Sequence, residues 1–399
     1  MPEIKRILFL TFYFEPDLTA GSFRNTSLLS AMEKQTSGSI IEIDVFTTQP
    51  NRYASYSKKA NEREVRNHIT IERIHVPKHE SGLFDQMISF RKFYKEVYKR
   101  TKEKKYDLVY ASSSRLFTAY LGSKISKSKG IPLYLDIRDL FVDTINDVFQ
   151  KNPLLKIIKL PLKIIEKKTF QRAHHINLIS PGFNPYFKNY KNVELSNFTH
   201  GIDPIFIDQL QIHSGLKKGK DEKKRILYAG NIGEGQGLHK IIPEAAHAFK
   251  DEFEFIIIGD GGKKEELVSE VKRLGVENVK ILNPLPRQEL CSLYNDVDLL
   301  LVHLNDYEAF KKVLPSKIFE LGATGKPILA GVGGYARSFL ITHLKDTHIF
   351  KPGDVSSFIE LLHKVTDKEI PRIDRTDFKE KFSRERVNNE MVKSILKYL

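Results

Sequence analysis

The sequence predicts an α/β protein made of two Rossmann-like domains, each a parallel sheet with helices on both faces, facing one another across a cleft. Three observations lead there. Short β-branched runs alternate with helical stretches, as parallel sheets with crossover helices require. The pattern restarts halfway, after a polar, lysine-rich segment. A chain of 399 residues is also long enough for two domains of ordinary size.

The elements follow in order. KRILFLTFYF reads as the first strand and GSFRNTSLLSAMEKQ as its helix. IEIDVFTTQ, DLVYASS and IPLYLDIRD are further strands, and HINLISPG and VELSNF close the first half. The segment SGLKKGKDEKK, residues 214–224, separates the halves. RILYAGNIGEGQG then opens a second strand–loop–helix unit, continued by FEFIIIGDGG, VKILNPLP, DLLLVHL and KPILAG. This spacing predicts an N-terminal domain over 1–200, a linker over 201–224, a C-terminal domain over 225–375 and a last helix over 376–399. That amphipathic helix, FSRERVNNEMVKSILKYL, could pack on its own half or cross back to the first. VLPSKIFELGATGKPILAG, residues 313–331, reads as a helix of about three turns, a glycine stop and a buried strand. In such sheets ligands sit outside the carboxyl ends of the strands, where every glycine loop of this chain falls.

Composition narrows the function classes. Hydrophobic content of 41% and charged content of 29% are those of a soluble globular protein. A lone cysteine, Cys291, allows no internal disulfide and fits a reducing, cytoplasmic compartment. The opening MPEIKRILFLTFYFEPD has an apolar run too short, and too soon followed by acids, for a secretion signal. The net charge of +14 favours an anionic partner, but no finger, RNP-like pattern or basic tail points to nucleic acid. The charge is concentrated. RKFYKEVYKRTKEKK, residues 91–105, holds eight basic residues against two glutamates, and LLKIIKLPLKIIEKK, residues 154–168, alternates apolar and lysine residues around an interrupting Pro161. Each is either a solvated helix face or part of a peripheral docking surface for the anionic inner face of a membrane.

The loop YAGNIGEGQG places Gly230, Gly233, Gly235 and Gly237 between a strand and a helix, where backbone N–H groups can approach a phosphate. The spacing is not the dinucleotide fingerprint, so no NAD cofactor is expected. Asp260 in IIIGDGG reads as the cap of the following helix. Asp296 and Asp298 read as a helix end and strand entry rather than metal ligands, and no His/Cys/carboxylate cluster has metal-binding spacing. His174 and His175, at a helix–strand junction, read as structural. In residues 313–331 Glu320 and Lys317 form either a plain i,i+3 ion pair or a ligand-binding pair.

Together YAGNIGEGQGL, FIIIGDGG, LPRQELCSLYNDVDLLLV and above all VLPSKIFELGATGKPILAG resemble the C-terminal domain of retaining family-4 glycosyltransferases with the GT-B fold. The likeness is greatest to the branch that builds bacterial surface polysaccharides, such as N-acetyl-fucosamine transferases. FYFEPDLTAGSFRNTSLLSAM, IPLYLDIRDL and SNFTHGIDPIF resemble the first half and interdomain linker of that family. The resemblance implies a hexosyltransferase that moves a sugar from a nucleotide-sugar donor, UDP-linked, to a glycan or lipid-linked acceptor in capsule or O-antigen synthesis. It implies net retention and neither cofactor nor metal. Glu320 would bond the ribose hydroxyls. Asn231 and Gln236 stand where the family carries its phosphate-holding arginine and lysine. Lys312 stands where it carries a first glutamate, with Glu308 further back, and Arg138 stands where many members carry a histidine. The nucleotide-sugar site implied comprises Gly21, Asn231, Gly233, Gln236, Gly259, Arg287, Lys312, Lys317 and Glu320; Asp139, Arg138 and Lys317 are the catalytic candidates. The departures leave two alternatives, a GT-B nucleotide-sugar epimerase and a catalytically silent sugar-binding or scaffold subunit of a polysaccharide assembly complex.

Overall fold

The structure, a computed structural model, describes residues 3–17, 19–50, 60–77, 83–113, 116–143, 153–208, 223–366 and 373–399. The chain divides into two compact units, Met1–His200 with Glu385–Leu399, and Gly201–Arg384. Most of the predicted linker, 209–222, lies outside the described residues.

Unit 1 carries β1 (Lys5–Thr11), α1 (Ala20–Thr36), β2 (Ile41–Thr48), β3 (Arg63–Arg66), β4 (Ile69–Ile74), α2 (Leu83–Thr101), β5 (Leu108–Ser113), α3 (Leu116–Lys129), β6 (Leu133–Ile137), α4 (Pro153–Arg172), β7 (His175–Leu178) and β8 (Glu194–Ser196). The strands form one sheet in the order β3-β4-β2-β1-β5-β6-β7-β8. Neighbours run parallel except β3 and β4. β5 and β6 are buried at every residue, as strands of a parallel sheet covered on both faces are. The sequence predicts a helical stretch interrupted at Pro161, but α4 continues through it. Pro161 removes one intrahelical hydrogen bond. The buried stripe of Leu162, Glu166 and Phe170, spaced four apart, holds the helix on the body beyond that point.

Unit 2 carries α5 (Pro204–Asp208), β9 (Lys224–Ala229), α6 (Leu238–Ala248), β10 (Phe253–Ile258), α7 (Lys264–Arg273), β11 (Val279–Leu282), α8 (Arg287–Asp296), β12 (Leu299–His303), α9 (Lys317–Gly322), β13 (Ile328–Gly331), α10 (Gly334–His343), β14 (His348–Phe350), α11 (Val355–Thr366) and α12 (Thr376–Phe382). Its sheet is wholly parallel, ordered β11-β10-β9-β12-β13-β14. Alternate residues feed two cores, one on each face. Leu227, Ile256 and Leu300 enter one, while Ile226, Phe255, Ile257 and Leu301 enter the other, as the two-residue period of a strand dictates. Among the described residues no helix is long and apolar enough to cross a membrane.

The single helix expected over 376–399 is two, α12 and α13 (Arg384–Leu396), parted at Ser383, and it is α13 that crosses back to unit 1. Its Met391, Val392 and Ile395 are fully buried in the unit 1 core with Ile7, Leu28 and Val45. The two chain crossings between the units lie side by side. Ile202 and Ser383 form a parallel bridge. The Ile202 N–H donates to the Phe382 carbonyl at 2.6 Å and the Arg384 N–H to the Ile202 carbonyl at 2.8 Å. The Asp203 carboxylate accepts from both Arg287 and Arg384. Gly201 has φ +64°, and a Cβ there would come 2.8 Å from the Arg384 Cα, so only glycine lets the crossings approach this closely.

One feature of unit 1 had no signal in the sequence. Arg24 of α1 and Asp136 of β6 form a fully buried bidentate pair at 2.8 and 3.0 Å. Asp136 also accepts from Asn177 at 2.7 Å and from Tyr110 and Ser112 at 3.3 Å. Arg24 further donates to the carbonyls of Phe198 and Thr199. Helix, three strands and the exit segment are thus joined at one point.

Candidate functional site

In unit 2, β9 is flanked by β10 on one side and β12 on the other. The sheet therefore switches direction at β9, and the crevice at its carboxyl end is where such folds take ligands. Residues 230–237 form the loop at that end. The Asn231 amide donates to the Gln236 side-chain carbonyl at 2.6 Å, so these two predicted site residues lie together across the loop. Gly233 sits under them, since a Cβ there would meet the Asn231 amide at 2.5 Å. Gly259, at the end of β10, has φ +155°, and a Cβ would lie 1.8 Å from the Gly230 carbonyl oxygen. It allows the two glycine loops to touch. Asp260 does not cap α7 as expected. Its carboxylate accepts from the adjacent Gly261 N–H at 2.8 Å, and its carbonyl from the Ile232 N–H at 2.8 Å. It is the backbone carbonyl that joins the loops, and α7 starts only at Lys264.

The segment after β12 completes this end of the sheet, and sequence reading missed its polar residues. The buried His303 ring donates from Nδ1 to the Gln236 carbonyl at 2.5 Å and accepts at Nε2 from the Gly353 N–H at 2.9 Å. Burial lowers its pKa to about 4, so the ring is neutral, as those two bonds require. The Asn305 N–H donates to the Gly235 carbonyl at 2.8 Å and its amide to the Glu234 carbonyl. The Tyr307 hydroxyl donates to the Glu234 carboxylate at 2.8 Å. The sole hint in the sequence was a histidine ending the apolar run DLLLVHL. Asp298 of the Asp-x-Asp pair accepts from the Arg225 N–H at 2.7 Å, a strand-entry role.

Glu320 lies on α9, which is six residues long rather than the predicted three turns. Its first free amides are few, because Ile318 and Phe319 N–H groups bond back to the carbonyls of Pro315 and Ser316. The helix thus offers little length and few open amides at its N-terminus. The Glu320 carboxylate is nearly buried and takes the Lys317 ammonium at 2.7 Å. Burial raises the neighbouring Tyr294 hydroxyl well above its ordinary value, and Glu320 adds to the rise. Burial also pushes the Cys291 thiol up to about 11, again with Glu320 contributing. Lys311 pairs with Glu308 and Asp306, so Glu308 is turned to a lysine. Lys312 follows in the same short turn. Arg287 is bound to Asp203 and lies over the Phe206 ring, 5.8 Å from its centroid.

In unit 1 the equivalent sheet switch is at β1, between β2 and β5. Here the structure brings two predicted residues together. Arg138, directly after β6, lays its guanidinium on Gly21 in the first turn of α1, with Nη1 2.0 Å from where a Gly21 Cβ would be. Burial lowers the Arg138 pKa; Asp136 opposes the shift and Arg24 reinforces it. Its Nε is buried without a hydrogen-bond partner, so the group is a cation with unused donor capacity. Asp139, next in the chain, is half-buried and adds negative charge near Arg138. Gly21→Ala should expel the Arg138 tip, a flexible end that can move, without unfolding α1. Turnover is expected to fall about a hundredfold, the usual scale for displacing a positioning group by an ångström or more. Melting temperature should be unchanged, and Arg138→Ala added to Gly21→Ala should cost nothing further. Additive losses in the double variant would show that the two residues do not act as one.

Comparison with known proteins bears on both units. Residues 214–384 match the family model described as "Glycosyl transferases group 1". WcaI of Escherichia coli K12, a protein named for glycosyl transfer in colanic acid biosynthesis, is 36% identical over 141 residues, 35% of this chain and 33% of that protein. The matched stretch thus spans about a third of that relative's length. Among solved structures, Anabaena HepE in complex with UDP-glucose has a TM-score of 0.66 at 17% identity, over 99% of this chain and 100% of that one. WaaG, a glycosyltransferase involved in lipopolysaccharide biosynthesis, has a TM-score of 0.64 at 15% identity, over 98% and 96%. Sucrose-phosphate synthase from Thermosynechococcus elongatus has 0.67 at 13%, over 98% and 94%. The architecture is that of GT-B glycosyltransferase structures, two Rossmann-like domains with parallel sheets.

Proposed function

We propose that this protein is a retaining glycosyltransferase of the family-4 type, moving a sugar from a UDP-linked donor to a glycan or lipid-linked acceptor in the assembly of a bacterial surface polysaccharide. The observation that carries the reading is the sheet switch of unit 2. There a double glycine loop and a neutral buried histidine meet, and a nearly buried glutamate follows in the same segment, which matches the group 1 glycosyl transferases. Solved neighbours of this fold hold UDP and UDP-glucose, which supports a nucleotide sugar as donor.

The chemistry asked of these residues is modest and specific. Glu320, an ionised acceptor, takes the two ribose hydroxyl protons. Its present partner Lys317 is then released toward the diphosphate, whose charge grows as the glycosidic bond breaks. The loop amides beside Gly233 and the Asn231–Gln236 pair offer neutral donors to the same oxygens. In unit 1, Arg138 and Asp139 position sugar hydroxyls, with Gly21 seating Arg138. Lys312 replaces the glutamate that the resembled family uses on the donor sugar, and this keeps a silent sugar-binding subunit in contention. A donor panel separates the readings. A transferase releases UDP faster with acceptor than without, an epimerase interconverts donors without releasing sugar, and a silent subunit binds without turnover. UDP at 100 times its dissociation constant should add about 2.7 kcal/mol of stability, visible as a thermal shift that adenosine diphosphate does not give. Transfer should survive EDTA; activity lost to EDTA and restored by manganese or magnesium would overturn the metal-independent reading.

A further inference from the structure

The outer surface of the helical layer α2–α3–α4 in unit 1 is unlike the rest of the described surface. α3 lies against both α2 and α4, and rings mark the first contact: Phe90 stacks on Phe117 at 5.1 Å and Tyr94 on Tyr120 at 6.3 Å. Eleven large apolar side chains are exposed among the described residues, and five of them, Met87, Ile88, Tyr98, Leu160 and Ile164, lie on α2 and α4. Two helices holding nearly half of such residues is not the scatter expected of an ordinary soluble surface.

The charge on the same helices is one-sided. On α2, Arg91, Lys92, Lys95 and Lys99 are exposed on the side opposite the buried Phe93 and Val97. On α3, Lys124 and Lys127 are exposed, the former with its ammonium 5.2 Å from the centre of the Tyr120 ring. On α4, Lys163, Lys167 and Lys168 surround Leu160 and Ile164. Against these nine cations the described side chains of the three helices offer two acids. Glu96 is bonded to Arg100 at 3.5 Å, and Glu166 is buried, bonded to Tyr186 and raised to about 7 by that burial. Neither neutralises the outer face.

We infer that this face docks on an anionic lipid bilayer, with the cations at the headgroups and Leu160, Ile164, Met87 and Ile88 at the acyl boundary. Apolar side chains ringed by lysines, with tyrosines among them, match the layered polarity of a membrane interface. A nucleic acid would meet the same charge but would find no use for exposed leucine and isoleucine. The inference rests on unit 1 alone and does not depend on the nucleotide reading of unit 2.

The test is co-sedimentation of the full chain with vesicles of phosphatidylcholine, with and without phosphatidylglycerol, at 0.1 M and 1 M salt. The parent should bind the anionic vesicles at low salt and release substantially at high salt, where the Debye length falls from about 10 Å to about 3 Å. Replacing Lys163, Lys167 and Lys168 by glutamine should weaken binding by roughly a hundredfold, about fivefold for each lysine. Leu160→Ser with Ile164→Ser should weaken it while leaving the salt dependence in place. The UDP-induced thermal shift, measured on every variant, reports separately on unit 2 and on folding. Binding to neutral and anionic vesicles alike, no binding to anionic vesicles at low salt, or tight binding to single-stranded RNA in place of vesicles would each overturn the inference. A missing UDP shift with vesicle binding intact would count against the nucleotide reading only.

Discussion

Asp136→Asn is expected to lower the melting midpoint by about 10 °C. The substitution keeps the shape of the side chain and removes its charge, leaving the Arg24 guanidinium buried and uncompensated. Breaking one side of a buried pair costs about 3–5 kcal/mol. A kcal/mol moves the midpoint by roughly 2–4 °C in a body of this size. The loss should be the largest of any single polar substitution in unit 1, because Asn177, Tyr110 and Ser112 converge on the same carboxylate. Burial by itself would raise the Asp136 pKa, but the charge and hydrogen bonds of Arg24 outweigh it and hold the value below the usual carboxylate range. A depressed folded pKa contributes stability above the unfolded value, and that part is lost as pH falls through the folded one. The parent should therefore lose this contribution only below about pH 4, and Asp136→Asn should flatten that part of the pH profile. Replacing both partners, Arg24→Met with Asp136→Leu, should recover part of the loss. A pair of single variants no less stable than the parent would mean that Arg24 finds another partner.

Glu320→Gln is expected to weaken UDP binding by roughly 10–100-fold, the scale of losing hydrogen bonds to a charged group. Glutamine preserves the packing beneath Tyr294, so the fold should stay intact. The decisive comparison is with 2′,3′-dideoxy-UDP. The parent should prefer UDP strongly, and the variant should scarcely tell the two apart. If the Lys317–Glu320 contact is only an ion pair within a helix, the substitution should cost about 0.2–0.5 kcal/mol of stability and leave both affinities unchanged. Discrimination between the two nucleotides retained by the variant would assign the ribose to other residues.

The strands of both sheets were legible because a buried parallel strand admits few residue types, and FEFIII or LLLVH can hardly be anything else. The glycine loops were legible for a related reason, since a strand that ends in glycines between two crossover helices announces a close approach. Asn231 and Gln236 could be named, but not their mutual bond. What escaped were interactions between distant residues. Arg24 and Asp136 stand 112 residues apart, and nothing local marks either as buried. Asp136 sits in an apolar strand beside the more conspicuous Arg138–Asp139. The length of α9 was overread because Ala323 and Thr324 continue a helical pattern that the positive φ of Gly325 and the early turn at Gly322 cut short. The seat of α13 could not be read at all, for its apolar stripe fits either body.

The paired crossings at Ile202 and Ser383 have a consequence for the order of biosynthesis. Unit 2 is written into the chain as one uninterrupted passage, whereas unit 1 is written in two parts separated by it. As the chain leaves the ribosome, the places of Met391, Val392 and Ile395 beside Leu28 and Val45 stay vacant until those residues emerge, after all of unit 2. Domains form as units during synthesis, so unit 1 cannot complete its core until unit 2 has been made. Over that interval the open side of its sheet is the part of the nascent chain most in need of a chaperone.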